Sequence, residues 1–97
     1  MNPRNRKDVE HGLERKGFQK SDNDHKKYIY HRDTGEKTAV WTKISHGSGH
    51  REISPVNQRK MAKQCKLSNK DFEQLLDCPL SREAYQEKLD SEGMVGR

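Results

Sequence analysis

Five histidines are the side chains of this chain whose ordinary pKa lies near neutrality, so acid or base chemistry at neutral pH is sought first among them. His25 stands out because Lys26 and Lys27 follow it at the entrance of an extended run, which sets an ionisable imidazole where a phosphodiester would be attracted. His31, at the far end of that run, has only Arg32 beside it, and His11 reads as a surface residue of a helix. His46 and His50 flank a Gly-Ser-Gly loop without a third ligand in local register, so they do not make a metal site. They suit phosphate contact instead, since they lead through Arg51 to a helix opening at Ser54, whose free amides and dipole favour anions.

Other chemistries are excluded by what is missing. The chain has no glycine-rich phosphate loop, no dinucleotide fingerprint, no His-Glu-x-x-His and no Gly-x-Ser-x-Gly, which argues against nucleotide hydrolysis and serine-esterase activity. Cys65 and Cys78 are its two cysteines, both inside apolar patterns, so they read as buried thiols and not as a disulfide frame or a zinc site. No metal and no cofactor is expected. Trp41, Tyr28 and Tyr30 have the chemistry to stack on bases, but a chain with six aromatic residues needs some of them for its core, and stacking is assigned to none.

The elements that must position these residues follow from periodicity. Residues 5 to 17 predict a helix, with Val9 and Leu13 four apart and Gly17 as its stop. From His25 to His31 the chain is rich in aromatic and β-branched residues, and Lys37 to Ser45 repeats that character after a turn containing Gly35, which together predict a hairpin. Alternation separates Tyr28 and Tyr30 from Lys27, Ile29 and His31, and Thr38, Val40, Thr42 and Ile44 from Ala39, Trp41 and Lys43. Both faces carry apolar groups, so the pattern leaves open which one is buried. Ser54-Pro55 opens a second helix running to Cys65 or Lys66, with a capping hydroxyl followed by proline at the first helical position. Met61, Ala62 and Cys65 share one side of it, Arg59, Lys60, Lys63 and Lys66 the other. Ser68-Asn-Lys-Asp71 caps a third helix carrying Phe72, Leu75 and Leu76. Ser81 to Leu89 predict a short fourth with Tyr85 and Leu89 four apart, and Asp90 to Arg97 is expected to fray. The order predicts an α+β fold with helices on one face of a small antiparallel sheet.

With 97 residues, 28% hydrophobic and 36% charged, the chain can close one small core. No apolar run approaches the ~20 residues of a membrane helix, and the start lacks a secretory signal, so a cytoplasmic protein without membrane contact is expected. Charge is unevenly spread. Residues 1 to 66 hold 16 basic and 8 acidic groups, net +8, whereas residues 67 to 97 hold 4 and 7, net −3. Between Lys37 and Lys66 seven basic residues face one acid, Glu52. Such a field suits a polyanion, nucleic acid first.

The series Leu13-Glu-Arg-Lys-Gly-Phe18, His25-Lys-Lys-Tyr28, a hairpin, His46, Glu52-Ile53, the Ser54-Pro55 helix with Arg59, and Lys66-Leu-Ser-x-x-Asp-Phe72 resembles the HicA family of type II toxins over roughly residues 9 to 76. The family implies a double-stranded-RNA-binding-domain-like fold (dsRBD-like, α-β-β-β-α), cleavage of messenger RNA, and neutralisation by a HicB-type antitoxin. Its active histidine, which ends a Gly-Ser-His segment, corresponds to His25; here Asn23 and Asp24 precede it, and of the family's Gly-Thr-Leu-Arg only the arginine remains, as Arg59. The expectation is therefore a metal-independent endoribonuclease, residues 1–76 forming the RNA-binding domain and 77–97 a C-terminal helical extension of the same domain. His25 would be catalytic. Lys26, Lys27 and Lys43, then His46, His50, Arg51 and Ser54, and finally Arg59, Lys60 and Lys63 would bind RNA. The alternative is a non-catalytic module that binds double-stranded RNA or another protein.

Overall fold

A computed structural model describes residues 2–21, 27–44, 51–77 and 79–91. His25, Lys26, His46, His50 and Cys78 lie outside them, as do the last residues expected to fray. The fold is α+β. Strand β1 (Arg4–Asn5) leads into helix α1 (Arg6–Arg15), followed by strands β2 (Phe18–Lys20), β3 (Lys27–His31) and β4 (Lys37–Lys43), a short strand β5 (Glu52–Ile53), and helices α2 (Pro55–Gln64), α3 (Asn69–Asp77) and α4 (Arg82–Ser91). Strands β2, β3 and β4 form an antiparallel sheet in that order, and β1 pairs antiparallel with β5 in a second ladder. The β1–β5 ladder was not expected, and α4 runs two residues past Leu89.

Local chemistry accounts for the helix ends. The Asn5 side chain accepts from the amides of Lys7 at 2.9 Å and Asp8 at 3.4 Å, capping α1. Ser54 Oγ accepts from Asn57 N at 3.2 Å at the start of α2, and Ser68 Oγ from Asp71 N at 3.1 Å at the start of α3. Gly17 ends the first helical unit with φ +102°; a Cβ there would stand 2.9 Å from the Tyr30 ring, so the site needs glycine for its backbone and for its space. Helix α2 ends differently, with Lys66 at φ 64° and Leu67 N donating to Ala62 O at 2.9 Å, a Schellman turn built without glycine.

The sheet face left open by the sequence pattern is settled by burial. Tyr28, Tyr30, Val40, Thr42 and Ile44 point inward and, with the exception of Thr42, belong to one apolar cluster with Val9 and Leu13 of α1, Met61 and Ala62 of α2, Phe72, Leu75 and Leu76 of α3 and Tyr85 and Leu89 of α4. The C-terminal helix is part of this core: the Tyr85 ring lies 5.1 Å from Tyr30 edge-on and 5.9 Å from Phe18 stacked, and its hydroxyl donates to Cys65 O at 2.8 Å. Burial pushes the Cys65 thiol up to about 12. The threonines can be buried because their hydroxyls are used, Thr38 Oγ1 on Tyr30 O at 2.7 Å and Thr42 Oγ1 on Gln64 Oε1 at 2.6 Å.

Two polar side chains lie in the interior unannounced by the pattern. Gln58 donates through Nε2 to Asn2 O at 2.7 Å and Ile53 O at 3.0 Å, tying α2 to the N-terminal segment. Lys16 donates through Nζ to Leu75 O and Leu80 O, both at 2.6 Å. Arg4 clamps Asp77 with contacts of 2.7 and 3.0 Å, and this guanidinium holds the Asp77 carboxyl below its ordinary value. Among the described residues no helix is long and apolar enough to cross a membrane.

Candidate nucleic-acid interface

Helix α2 builds the strongest positive surface. Its ten residues contain no acid, its apolar side is sunk in the core through Met61 and Ala62, and Arg59, Lys60 and Lys63 are all exposed on the opposite side. The reason is spacing: residues three and four apart return to the same face, so the cations stand one above another. Ser54, exposed, caps the positive end of the helix, its side chain accepting from Asn57 N and its carbonyl from Gln58 N, and the one large apolar group left in solvent among the described residues is Val56, 53% exposed in the first turn.

Lys43 adjoins this helix through its backbone. Its amide donates to Gln64 Oε1 at 3.2 Å, the same oxygen that Thr42 Oγ1 reaches, so the last turn of α2 is fixed to the end of β4. Lys27 stands directly across from Lys43 in the β3–β4 ladder, and its ammonium lies 4.5 Å from the centre of the Trp41 ring. These residues occupy the outer face of the sheet, away from the helices. The structure thus brings Lys27 and Lys43 together, and joins Lys43 through Gln64 to the helix that carries Lys63.

Arg51 belongs to a different group. Its carbonyl accepts from Arg6 N at 2.8 Å, and it lines an open hollow of about 490 Å³ with Asn5, Arg6 and Lys7 at the start of α1. Arg6 and Lys7 were missed as partners of Arg51 because the β1–β5 ladder that joins them has two residues on each side, too few to show a period. Trp41 was named for its stacking chemistry but given no role for the same kind of reason: which sheet face it would occupy depended on where the helices packed.

The remaining expected site residues, His25, Lys26, His46 and His50, lie outside the described residues. Of the histidines that are described, His31 places Nδ1 2.9 Å from Ile29 O, and His11 is exposed on α1. Chemically, the described surface offers strong cations, the positive end of a helix dipole and one partly exposed indole, which is equipment for holding phosphates and bases.

No protein-family model matches the chain, and comparison with curated proteins and with solved structures finds no similar protein.

Proposed function

We propose that the protein is an RNA-binding endoribonuclease of the HicA type, acting on messenger RNA in the cytoplasm and neutralised by a HicB-like antitoxin. The observation that carries the reading is the acid-free outer face of α2, where Arg59, Lys60 and Lys63 are exposed beyond a capped N-terminus. A helix of this kind takes the phosphate backbone without reading sequence, as A-form RNA requires. The order of α1, three antiparallel strands and α2 supports the same reading, as does the start of β3: Lys27, two residues after His25, lies across from Lys43, which is tied to α2.

His25 is the proposed acid–base group. In a metal-free cleavage the ribose 2′-oxygen loses its proton as it attacks phosphorus and the bond to the 5′-oxygen breaks as that oxygen gains one; His25 either takes the first proton or gives the second, and water exchanges the other. The product carries a 2′,3′-cyclic phosphate, and Lys26 or Lys27 offsets charge on the phosphorane. An antitoxin covering the α2 face would inhibit by occlusion, and an acidic one would arrive faster.

Incubating the protein with RNA, with and without EDTA, tests this. Cleavage that survives EDTA and is lost in His25→Ala, with RNA affinity kept within a few fold, is expected; the lost rate is about a hundred- to ten-thousand-fold. Binding without any product leaves an RNA-binding module and removes the nuclease. Cleavage blocked by EDTA removes the metal-free route, and full cleavage by the variant removes His25. Tight binding to an antitoxin with no RNA binding at low salt overturns the RNA reading.

A further inference from the structure

The outer face of the β2–β3–β4 sheet has a composition unlike that of an idle solvent face. The positions that alternation places there are Gln19 on β2, Lys27, Ile29 and His31 on β3, and Lys37, Ala39, Trp41 and Lys43 on β4. None is acidic. The register sets them in three cross-strand rows: Lys27 opposite Lys43, Gln19 beside Ile29 beside Trp41, and His31 opposite Lys37. An apolar centre is thus bordered above and below by cations. Ile29 is buried, 5% exposed, yet stands outside the main core cluster, so its cover comes from this face. Trp41, its direct cross-strand neighbour, is partly exposed.

We propose that this face is a docking site for a single-stranded stretch of nucleic acid, with an unpaired base stacked on Trp41 and the flanking phosphates held by Lys27, Lys37 and Lys43. The choice of occupant follows from the charge and from the ring. A face with no acid among its described residues and with lysines at both ends complements a polyanion, and a flat aromatic at its centre complements a base that is free to splay out, which duplex RNA does not offer. The Lys27 ammonium now rests on the indole. That contact is worth about 0.5–1 kcal/mol at an exposed site, whereas stacking a base on an aromatic side chain is worth about 1–3 kcal/mol. A base therefore displaces the ammonium at a net gain, and the released lysine is free to meet the adjoining phosphate. The proposal rests on the RNA-binding reading and deepens it: α2 holds backbone, the sheet selects unpaired strand, and the substrate class becomes RNA with a single-stranded segment beside the bound phosphates.

Trp41 is the chain's one tryptophan, so its fluorescence reports this face directly. Titrating the full chain with a short oligouridine strand should quench it saturably, and more at low salt; duplex RNA should quench it much less. In anisotropy measurements with a labelled oligouridine, Trp41→Ala should weaken binding about tenfold or more, Trp41→Phe should retain most of it, and duplex affinity should stay within about twofold. Lys37→Glu, at an exposed strand start, should also weaken single-strand binding and guards against a Trp41→Ala chain that fails to fold. Unchanged fluorescence, or equal oligouridine affinity for wild type, Lys37→Glu and any folded Trp41 variant, overturns the proposal; duplex binding that still depends on Lys60 and Lys63 would then leave the α2 reading standing, and no binding to either RNA would end both. Quenching by polyglutamate but not by oligouridine would make the face a protein-docking surface and overturn the nucleic-acid assignment.

Discussion

The ammonium of Lys16 lies 2.6 Å from the carbonyl oxygen of Leu75, one of the last carbonyls of α3, and equally close to that of Leu80 in the connection to α4. A buried cation is ordinarily costly, but this one takes up one carbonyl that α3 leaves without an intrahelical donor and a second in the connection beyond it, and sits at the negative end of the helix dipole. It also fastens the end of α1 to the point where the chain turns into α4.

Removing it should be expensive. Hydrogen bonds to charged groups contribute about 1.5–3 kcal/mol each, and the abandoned Leu75 carbonyl remains buried. Lys16→Met keeps most of the stem's volume and is expected to destabilise the fold by about 3 kcal/mol in urea denaturation, and Lys16→Ala, which also removes the buried stem, by more. A wild-type midpoint for Lys16→Met would show that the stem, and not the ammonium, holds the α1–α3 contact.

Alkaline pH should expose the Cys65 thiol. Burial raises it from 9.0 to about 12, so the folded state keeps its proton where the unfolded state has released it. The sign follows: the contribution is complete below pH 9 and is lost as pH rises toward 12, at up to about 1.4 kcal/mol per pH unit. Lysines and tyrosines titrate in the same range, so the readout is a difference. Wild type should lose more stability than Cys65→Ala between about pH 8 and about pH 10. Parallel losses would mean that the thiol is not sealed in the folded protein.

What was legible in the sequence was local. Val9 and Leu13, the Ser54-Pro55 opening, the Ser68 cap and the Met61-Ala62-Cys65 side of α2 are each encoded within a few residues, and each stands in the structure as read. Lys16 and Gln58 were not legible, because the carbonyls that make their burial tolerable come from residues 59 and 56 positions away. The same holds for the sheet, whose buried face depended on where the helices packed, with Thr38 and Thr42 tolerated there because their hydroxyls find acceptors. Of the candidate site, Arg59, Lys60 and Lys63 were readable from helical spacing alone. Trp41 and the Arg6–Lys7–Arg51 group required the tertiary fold, and His25 falls outside the described residues.

Lys66 illustrates a position where local chemistry was overruled. Its φ of 64° is the left-handed region that the α2 stop demands, and an L side chain there costs about 1–2 kcal/mol. Glycine removes that strain but adds about 0.5–1 kcal/mol of entropy to the unfolded chain. The difference favours glycine, so Lys66→Gly should raise stability by about 0.5–1 kcal/mol, seen as a higher melting temperature. A lower one would mean that the lysine makes an interaction worth more than the strain.

Lys60 and Lys63 supply the most direct test of how α2 meets RNA. Both are exposed, both lie on the acid-free side, and glutamine, a good helix former, can replace them without disturbing Met61 and Ala62 beneath. If each neutralises a phosphate, the double variant Lys60→Gln/Lys63→Gln releases about two fewer counterions on binding, and the slope of log affinity against log salt should flatten by about that number. The loss of affinity should be the same for every RNA sequence, since phosphates carry no sequence. Titrations of two unrelated RNAs across a salt series, with circular dichroism to verify the helix, measure both quantities. An unchanged slope would place the bound backbone elsewhere on the molecule, and a loss confined to one sequence would mean that these lysines read bases.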